Sequence, residues 1–365
     1  MSNQLSTKPH YPVLDGLRGV AAVTVVIFHL FEAFATSHFD QVINHGYLAV
    51  DFFFLLSGFV IGYAYDDRWQ KMTVKDFFKR RLIRLQPMVV MGMLIGGALY
   101  YFQAGDYWPI IAQTPVWKML LVMIIGCTVL PVPLSMDIRG WTEMHPLDGP
   151  AWSLFFEYIA NILYALIVRR FSKVALGILV ALSAAFLVHM VIPKGDVVGG
   201  WALDGPQLHI GFARLLYPFF AGLLLSRTAK LTVIKNSLLW CSILLVAALA
   251  IPRIGGPTAE WQNGLYEALV IVIVFPLIVY LGASDAAHKS PSKLCRFLGD
   301  ISYPLYITHY PLVYTFTAWV KDNKIALSDA YLPGLGVMAA ALLIAYASFK
   351  LYDVPVRKWL TKKYA

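Results

Sequence analysis

Long apolar runs separated by short polar connections dominate this chain. They fall at approximately 12–35, 47–65, 86–103, 116–130, 151–168, 174–192, 207–225, 237–252, 263–281, 301–320 and 331–352, eleven in all. A helix needs roughly 20 apolar residues to cross a bilayer core. The run at 116–130, held between Pro115 and Pro131, is short for that task. The distribution of Lys and Arg decides how it is counted. Basic residues cluster at Arg68 to Arg84, at Arg169 to Lys173, at Arg227 to Lys235, at Lys289 to Arg296 and from Lys350 to Lys363. If 116–130 does not cross, all these clusters share one side with Lys8. Twenty-two of the 30 Lys and Arg are then cytoplasmic and six are outside (Lys118, Arg139, Lys194, Arg253, Lys321, Lys324). If it crosses, every later cluster moves outside, against the positive-inside rule. The pattern therefore predicts an all-α polytopic membrane bundle of about ten transmembrane helices. It adds one re-entrant or interfacial segment at 116–130 and puts both termini in the cytoplasm. A single domain, 1–365, is expected, and no internal repeat is visible.

The first run, VLDGLRGVAAVTVVIFHLFEAF, departs from a plain spanning helix because it carries Asp15, Arg18, His29 and Glu32. Ionisable groups at membrane depth are costly and by default mark a function. Arg18 and His29 are eleven residues apart, so on a helix they share a face within roughly 20° and lie about 16 Å apart along the axis. Asp15 and Glu32, each three residues outside the pair, extend the same stripe. A stripe that only packs against polar partners is the alternative, and four ionisable groups on one face weigh against it.

Composition agrees with the membrane reading: 59% of residues are hydrophobic and 14% charged, against roughly a quarter charged in soluble domains. The net charge of +9 reflects cytoplasmic loops and not nucleic-acid binding. Cys127, Cys241 and Cys295 fall singly, with neither a metal spacing nor a disulfide framework. No cleavable signal peptide is evident. The chain has no Walker loop, dinucleotide fingerprint or HExxH motif, and no GxSxG elbow.

Other segments add candidate chemistry. DDRWQKMTVKDFFKRRLIRLQP is the densest basic patch, with Arg80, Arg81 and Arg84 where a loop meets the third helix. Guanidinium groups suit phosphates, though on spacing alone plain topology and anionic lipid head groups are the better account of such a patch. GYLAVDFFFLLSGFVIG places Asp51 at its outer end and the small pair Ser57-Gly58 near mid-membrane, where it allows close helix approach. The stretch Pro131 to Pro150 forms the longest outer region and holds Asp137, Glu143, His145 and Asp148. It leads into AWSLFFEY, which sets Trp152 at the interface and Glu157 one and a half turns into a helix. ISYPLYITHYPL puts Tyr303, Tyr306 and His309 on one face, with Tyr310 beside them. Pro304 and Pro311 there free backbone carbonyls to line a cavity. Arg214, inside another run, needs a partner, and Glu157 and Glu267 are the candidates.

Taken together, LDGLRGVAAVTVVIFH (14–29), GYLAVDFFFLLSGFVIG (46–62), RRLIRLQP (80–87), AWSLFFE (151–157) and ISYPLYITHYPL (301–312) resemble the integral-membrane acyltransferase family 3. Members of that family O-acylate cell-surface glycans. The resemblance runs from the first helix to the tenth. It implies an acyl-coenzyme A donor, usually acetyl-CoA, bound from the cytoplasm. It also implies a sugar hydroxyl as acceptor on the outer side, and that Arg18 and His29 are essential. Some relatives carry an SGNH-type hydrolase domain after the helices. None is expected here, so transfer is completed in the membrane domain or by a separate partner.

The expected site follows. His29 serves as base or transient acyl carrier. Arg18, steadied by Asp15, binds donor phosphate or stabilises negative charge. Glu157 orients His29 or the acceptor. Arg80, Arg81 and Arg84 take the phosphates of coenzyme A, with Ser57, Tyr303 and His309 completing the donor-side lining. No metal is required. Expected partners are acyl-CoA, a surface glycan or lipid-linked saccharide, and membrane lipids, and a homodimer or polysaccharide-assembly partners are compatible. The expected location is a bacterial inner (plasma) membrane. The rival reading is a proton-coupled secondary transporter, against which the lack of a repeat counts.

Overall fold

The structure is a computed structural model and describes residues 11–229, 235–284 and 292–364. Lys8, Lys230 and Lys289, used above for orientation, lie outside the described residues. Within them the regular structure is helical, apart from an isolated bridge between Glu143 and Ala202. In chain order the helices are α1 (Pro12–Glu32), α2 (Ala49–Tyr65), α3 (Val74–Leu99), α4 (Pro109–Gln113), α5 (Val116–Gly126), α6 (Ala151–Leu166), α7 (Lys173–Lys194) and α8 (Gly205–Thr228). There follow α9 (Ser237–Ala250), α10 (Trp261–Leu269), α11 (Phe275–Ala283), α12 (Lys293–Thr308), α13 (Tyr310–Asp322), α14 (Tyr331–Ala347) and α15 (Val354–Tyr364). One-turn π segments join α10 to α11 and α14 to α15.

Among the described residues, seven helical stretches are long and apolar enough to cross a membrane: 12–32, 46–65, 74–103, 173–194, 205–228, 261–283 and 331–364. α5, α6 and α9 are apolar but shorter. With 11 residues, α5 extends about 16 Å, roughly half a bilayer core.

Two helices begin earlier than the apolar pattern predicts. α3 starts at Val74 and not near 86, because Thr73 and Asp76 form a reciprocal capping box. Arg80, Arg81 and Arg84 therefore stand on a helix and not at a loop junction. α12 starts at Lys293, capped by the Ser292 hydroxyl, and the run at 301–320 is not one helix. Pro311 has no N–H to offer Ile307, so α12 ends at Thr308 and α13 begins at Tyr310, with His309 at the break.

Two close helix pairs frame the interior. α2 packs on α8, where a Cβ at Gly58 would overlap the carbonyl oxygen of Phe219; only a small residue permits that approach. α1 packs on α12 in the same manner, with Gly19 against Leu298. These pairs bring the ionisable stripe of α1 to face α2, α6 and α12.

Candidate functional site: two cavities along one helix

The stripe on α1 opens into two cavities. The first, about 60 Å³, is lined by Arg18, Ser57, Glu157 and Tyr303, among apolar neighbours that include Phe53 and Leu154. The second, about 440 Å³, is lined by His29, Glu32, Glu143, Trp152, Arg214 and Tyr310, among others. Val50 and Tyr306 present surface to both, so only the thickness of those side chains separates them. The order along each helix agrees. On α2, Val50 precedes Ser57 by about 10 Å; on α6, Ser153 precedes Glu157; on α12, Ser302 precedes Tyr306.

At the Arg18 end, guanidinium groups crowd together. Arg18 feels the like charges of Arg84 and Arg81 and the opposite charges of Asp15 and Glu157. Glu157 accepts hydrogen bonds from Arg81 Nη2 at 2.5 Å and from the Ser57 hydroxyl at 2.8 Å. Arg84, exposed on α3, also acts on Asp353 and Arg357, and Arg357 pairs with Asp353 at 2.8 Å. α15 runs alongside α3 here, with Lys79 donating to the Tyr364 carbonyl at 3.2 Å. An open groove of about 460 Å³ follows Arg357, Lys358 and Lys362. The Nε atoms of Arg80, Arg81 and Arg357 are buried and find no acceptor within the protein. Buried donors without acceptors are costly.

At the other end, His29 Nδ1 lies 2.6 Å from Glu32 Oε2. An ionised carboxylate only accepts, so Nδ1 carries the hydrogen and Nε2 keeps its lone pair. The His29 ring stacks on His309, centroids 5.7 Å apart, and meets Tyr310 edge-on at 4.7 Å. His309 is itself fixed, its Nδ1 donating to the carbonyls of Leu305 and Tyr306 at 3.0 and 2.9 Å. The cavity floor is rigid as well. Arg214 is buried under a paired bond to Asp51 (2.7 Å between Nη2 and Oδ2) and lies 5.1 Å from the Trp152 ring.

The loop before α6 supplies the remaining wall. Asp137 accepts from the backbone of Arg139, Gly140 and Thr142 and so fixes the turn. Arg139 turns inward, donates to the Pro146 carbonyl and to Gln103, and lies 3.5 Å from the Tyr314 ring centroid. Tyr314 donates to Glu143 at 2.7 Å. Burial pushes the Glu143 carboxyl up to about 7 despite Arg139 and that hydrogen bond. Burial, with Glu143 nearby, pushes Asp148 well above the usual carboxylate range.

A sequence profile of the acyltransferase 3 family, described as an acyltransferase domain, matches residues 11–350. The chain belongs to that family. Among curated proteins it is similar to Protein 2 in picA locus of Rhizobium radiobacter, 32% identical over 190 residues, half of this chain and 95% of that protein. It is also similar to Peptidoglycan O-acetyltransferase OatA of Listeria monocytogenes, 26% identical over 96% of this chain and 56% of that protein. O-acetyltransferase OatA of Staphylococcus aureus is 23% identical over 98% of this chain and 59% of that protein. The chain thus spans a little over half the length of the OatA proteins. No solved structure matches it significantly. The apolar helices and this membership make the protein a multi-pass integral membrane protein.

Within this acyltransferase-family chain, the structure gathers Arg18, Ser57, Glu157 and Tyr303 around one cavity and puts His29 on the other. Glu157 lines the other cavity, where its Oε1 accepts from Arg81 and Ser57, and the carboxylate bonded to His29 is that of Glu32. Arg214 pairs with neither Glu157 nor Glu267. Asp51, one helix away on α2, reaches it first, and Glu267 is held by Tyr47, Asn263 and the Val197 N–H. Trp152 is not at an interface but buried against the His29 cavity. Two site residues escape a reading of the pattern. Arg357 hides in an ordinary basic tail, and Tyr314 follows the break at His309, where the helix phase changes.

Proposed function

We propose that this chain is a membrane O-acyltransferase that moves an acyl group, acetyl by default, from acyl-CoA to a hydroxyl of an extracytoplasmic glycan or exported glycoside. The observation that carries the reading is the pair of cavities on α1: a guanidinium-rich one and a His–carboxylate one, sharing Tyr306 and Val50. In this reading ten helices span a bacterial inner membrane: the seven long ones, α6, α9 and the broken α12–α13 pair. α5 does not cross, and the Arg18 end faces the cytoplasm. Reporter fusions after Lys173 and Arg296 then read cytoplasm, and one near Asp148 reads outside; the reverse at Lys173 refutes the orientation.

The donor phosphates sit against Arg84, Arg357 and the neighbouring bases, and the thioester reaches past Arg18 toward Tyr306. His29 Nε2 takes the acceptor hydroxyl proton, and Glu32 stabilises the resulting imidazolium through Nδ1–H, as an acid–histidine pair does. The hydroxyl oxygen forms the new C–O bond as the C–S bond breaks, and the coenzyme A thiolate leaves with the proton as free thiol. Transient acylation of His29 gives the same balance in two steps. Trp141, Trp152 and Trp201, which line the His29 cavity, suit the apolar faces of a sugar ring. The decisive test uses purified protein in nanodiscs with labelled acetyl-CoA and a glycan fragment. Ester-linked label on the glycan is expected. Absence of both transfer and slow thioester hydrolysis, with proton-coupled solute uptake in vesicles instead, overturns the reading in favour of a transporter.

A further inference from the structure

The small cavity has a property that the reaction class does not dictate. It holds about 60 Å³, and one water-sized probe takes about 10–15 Å³ of such space. A few non-hydrogen atoms fit, enough for an acetyl group and too few for a medium-length chain. Two of its walls are rings. Phe53 and Tyr306 meet edge to face with centroids 5.3 Å apart. The Tyr306 hydroxyl is pinned by the Ser153 hydroxyl at 2.8 Å and lies 3.3 Å from the Pro150 carbonyl. Tyr306 is nearly fully buried, and its own carbonyl accepts from His309. A ring held at both its hydroxyl and its backbone does not swing aside for a longer chain without losing those bonds.

We propose that Tyr306 and Phe53 gauge the acyl chain: the Arg18 cavity accepts an acetyl-sized group, and this pair of rings stops anything much longer. The proposal rests on the acyl-CoA reading above. It assigns the two residues a specificity role, separate from proton transfer at His29 and from phosphate binding at the arginines. Widening the small cavity then admits longer donors: removal of Tyr306, which faces both cavities, joins it to the space of about 440 Å³, and removal of Phe53, which lines the small cavity alone, enlarges it.

The test compares acetyl-, butyryl- and octanoyl-CoA with the full chain in nanodiscs, reading acyl transfer and thioester hydrolysis as ratios between donors. Unaltered protein should prefer acetyl over octanoyl by at least about 100-fold, since a few methylenes refused by a closed pocket are worth that much. Phe53→Ala and Tyr306→Ala should each shift the ratio toward octanoyl by about 10-fold or more. Tyr306→Phe, which keeps the ring but loses its bond to Ser153, should shift the ratio less than Tyr306→Ala does. If Tyr306→Ala is inactive with every donor, Phe53→Ala and Val50→Ala decide. Unaltered protein that uses octanoyl-CoA as well as acetyl-CoA overturns the gauge, and so do widened variants that turn over acetyl-CoA with an unchanged ratio. Unaltered protein that turns over no acyl-CoA of any length overturns the donor reading itself, a distinct result.

Discussion

The two ends of the α1 stripe are built on opposite plans. Around Arg18 the side chains are long, charged and arranged as partly exposed ion pairs: Arg81 with Glu157, Arg357 with Asp353, and Arg84 acting on several of them. Around His29 the walls are rings, and the polar groups are held by buried bonds, as with Arg214 on Asp51 and His309 on its own helix. On the proposed reading, charge holds the donor at the first end, and shape and stacking hold the acceptor at the second. The difference teaches that the two substrates meet different physics. Partly exposed charges are screened over about 8–10 Å at physiological ionic strength, so donor affinity should weaken with salt, while acceptor affinity should change little. Equal salt dependence of both substrates, measured by titration calorimetry, would erase the distinction.

The largest predicted effect removes the chemistry of one end alone. His29→Ala should lower acyl transfer by about 10² to 10⁴ with acetyl-CoA binding retained, and His29→Gln should fail in the same way because it cannot accept and release a proton. Near-normal transfer by the Gln variant would make His29 structural. Smaller, and at the opposite end, Arg84→Gln with Arg357→Gln should weaken acetyl-CoA binding by about 10-fold or more, given about 1.5–3 kcal/mol for a hydrogen bond to a charged group. The transfer rate at saturating donor should be nearly unchanged. Unchanged affinity would return this patch to topology and lipid contacts. Smaller again, Glu32→Gln keeps a hydrogen-bonding side chain at His29 but loses the charge that favours the imidazolium. Its transfer rate should fall by about 10-fold; an unchanged rate would detach Glu32 from the chemistry.

How much of this was legible in the sequence follows from the range of the forces involved. The Arg18–His29 stripe is set by helix period alone, so eleven residues of spacing suffice to see it, and α1 carries it unbroken. The apolar runs likewise mark the helices, because a bilayer imposes length. What pairs with what is not local. Asp51 reaches Arg214 across 163 positions, and Arg81 reaches Glu157 across 76; no periodicity encodes either, so the pattern offers Glu157 to His29 or the acceptor, and Glu157 or Glu267 to Arg214, while the structure pairs Glu157 with Arg81 and Arg214 with Asp51. Helix starts were missed where a polar cap precedes the apolar run, as at Thr73. The split of the stripe into two cavities depends on where the Tyr306 ring stands, which requires α2, α6 and α12 together.

The smallest predicted effect concerns the loop wall of the His29 cavity. Glu143 lies outside the spanning helices, and its carboxyl is pushed from its ordinary 4.5 up to about 7. A folded-state value above the unfolded one means that the fold prefers the neutral acid. Stability from this group is therefore fully present below about pH 4.5, declines as pH rises toward 7 and is lost above it. Glu143→Gln keeps the neutral shape, and its carbonyl oxygen still accepts from Tyr314. The variant should melt at nearly the same temperature as unaltered protein at pH 4.5 and a few degrees higher at pH 8, in the same detergent. A gap that shrinks or reverses at pH 8 would mean that Arg139, 3.8 Å from the Glu143 carboxylate, holds it charged. The wall beside His29 would then work by ion pairing after all, as the Arg18 end does.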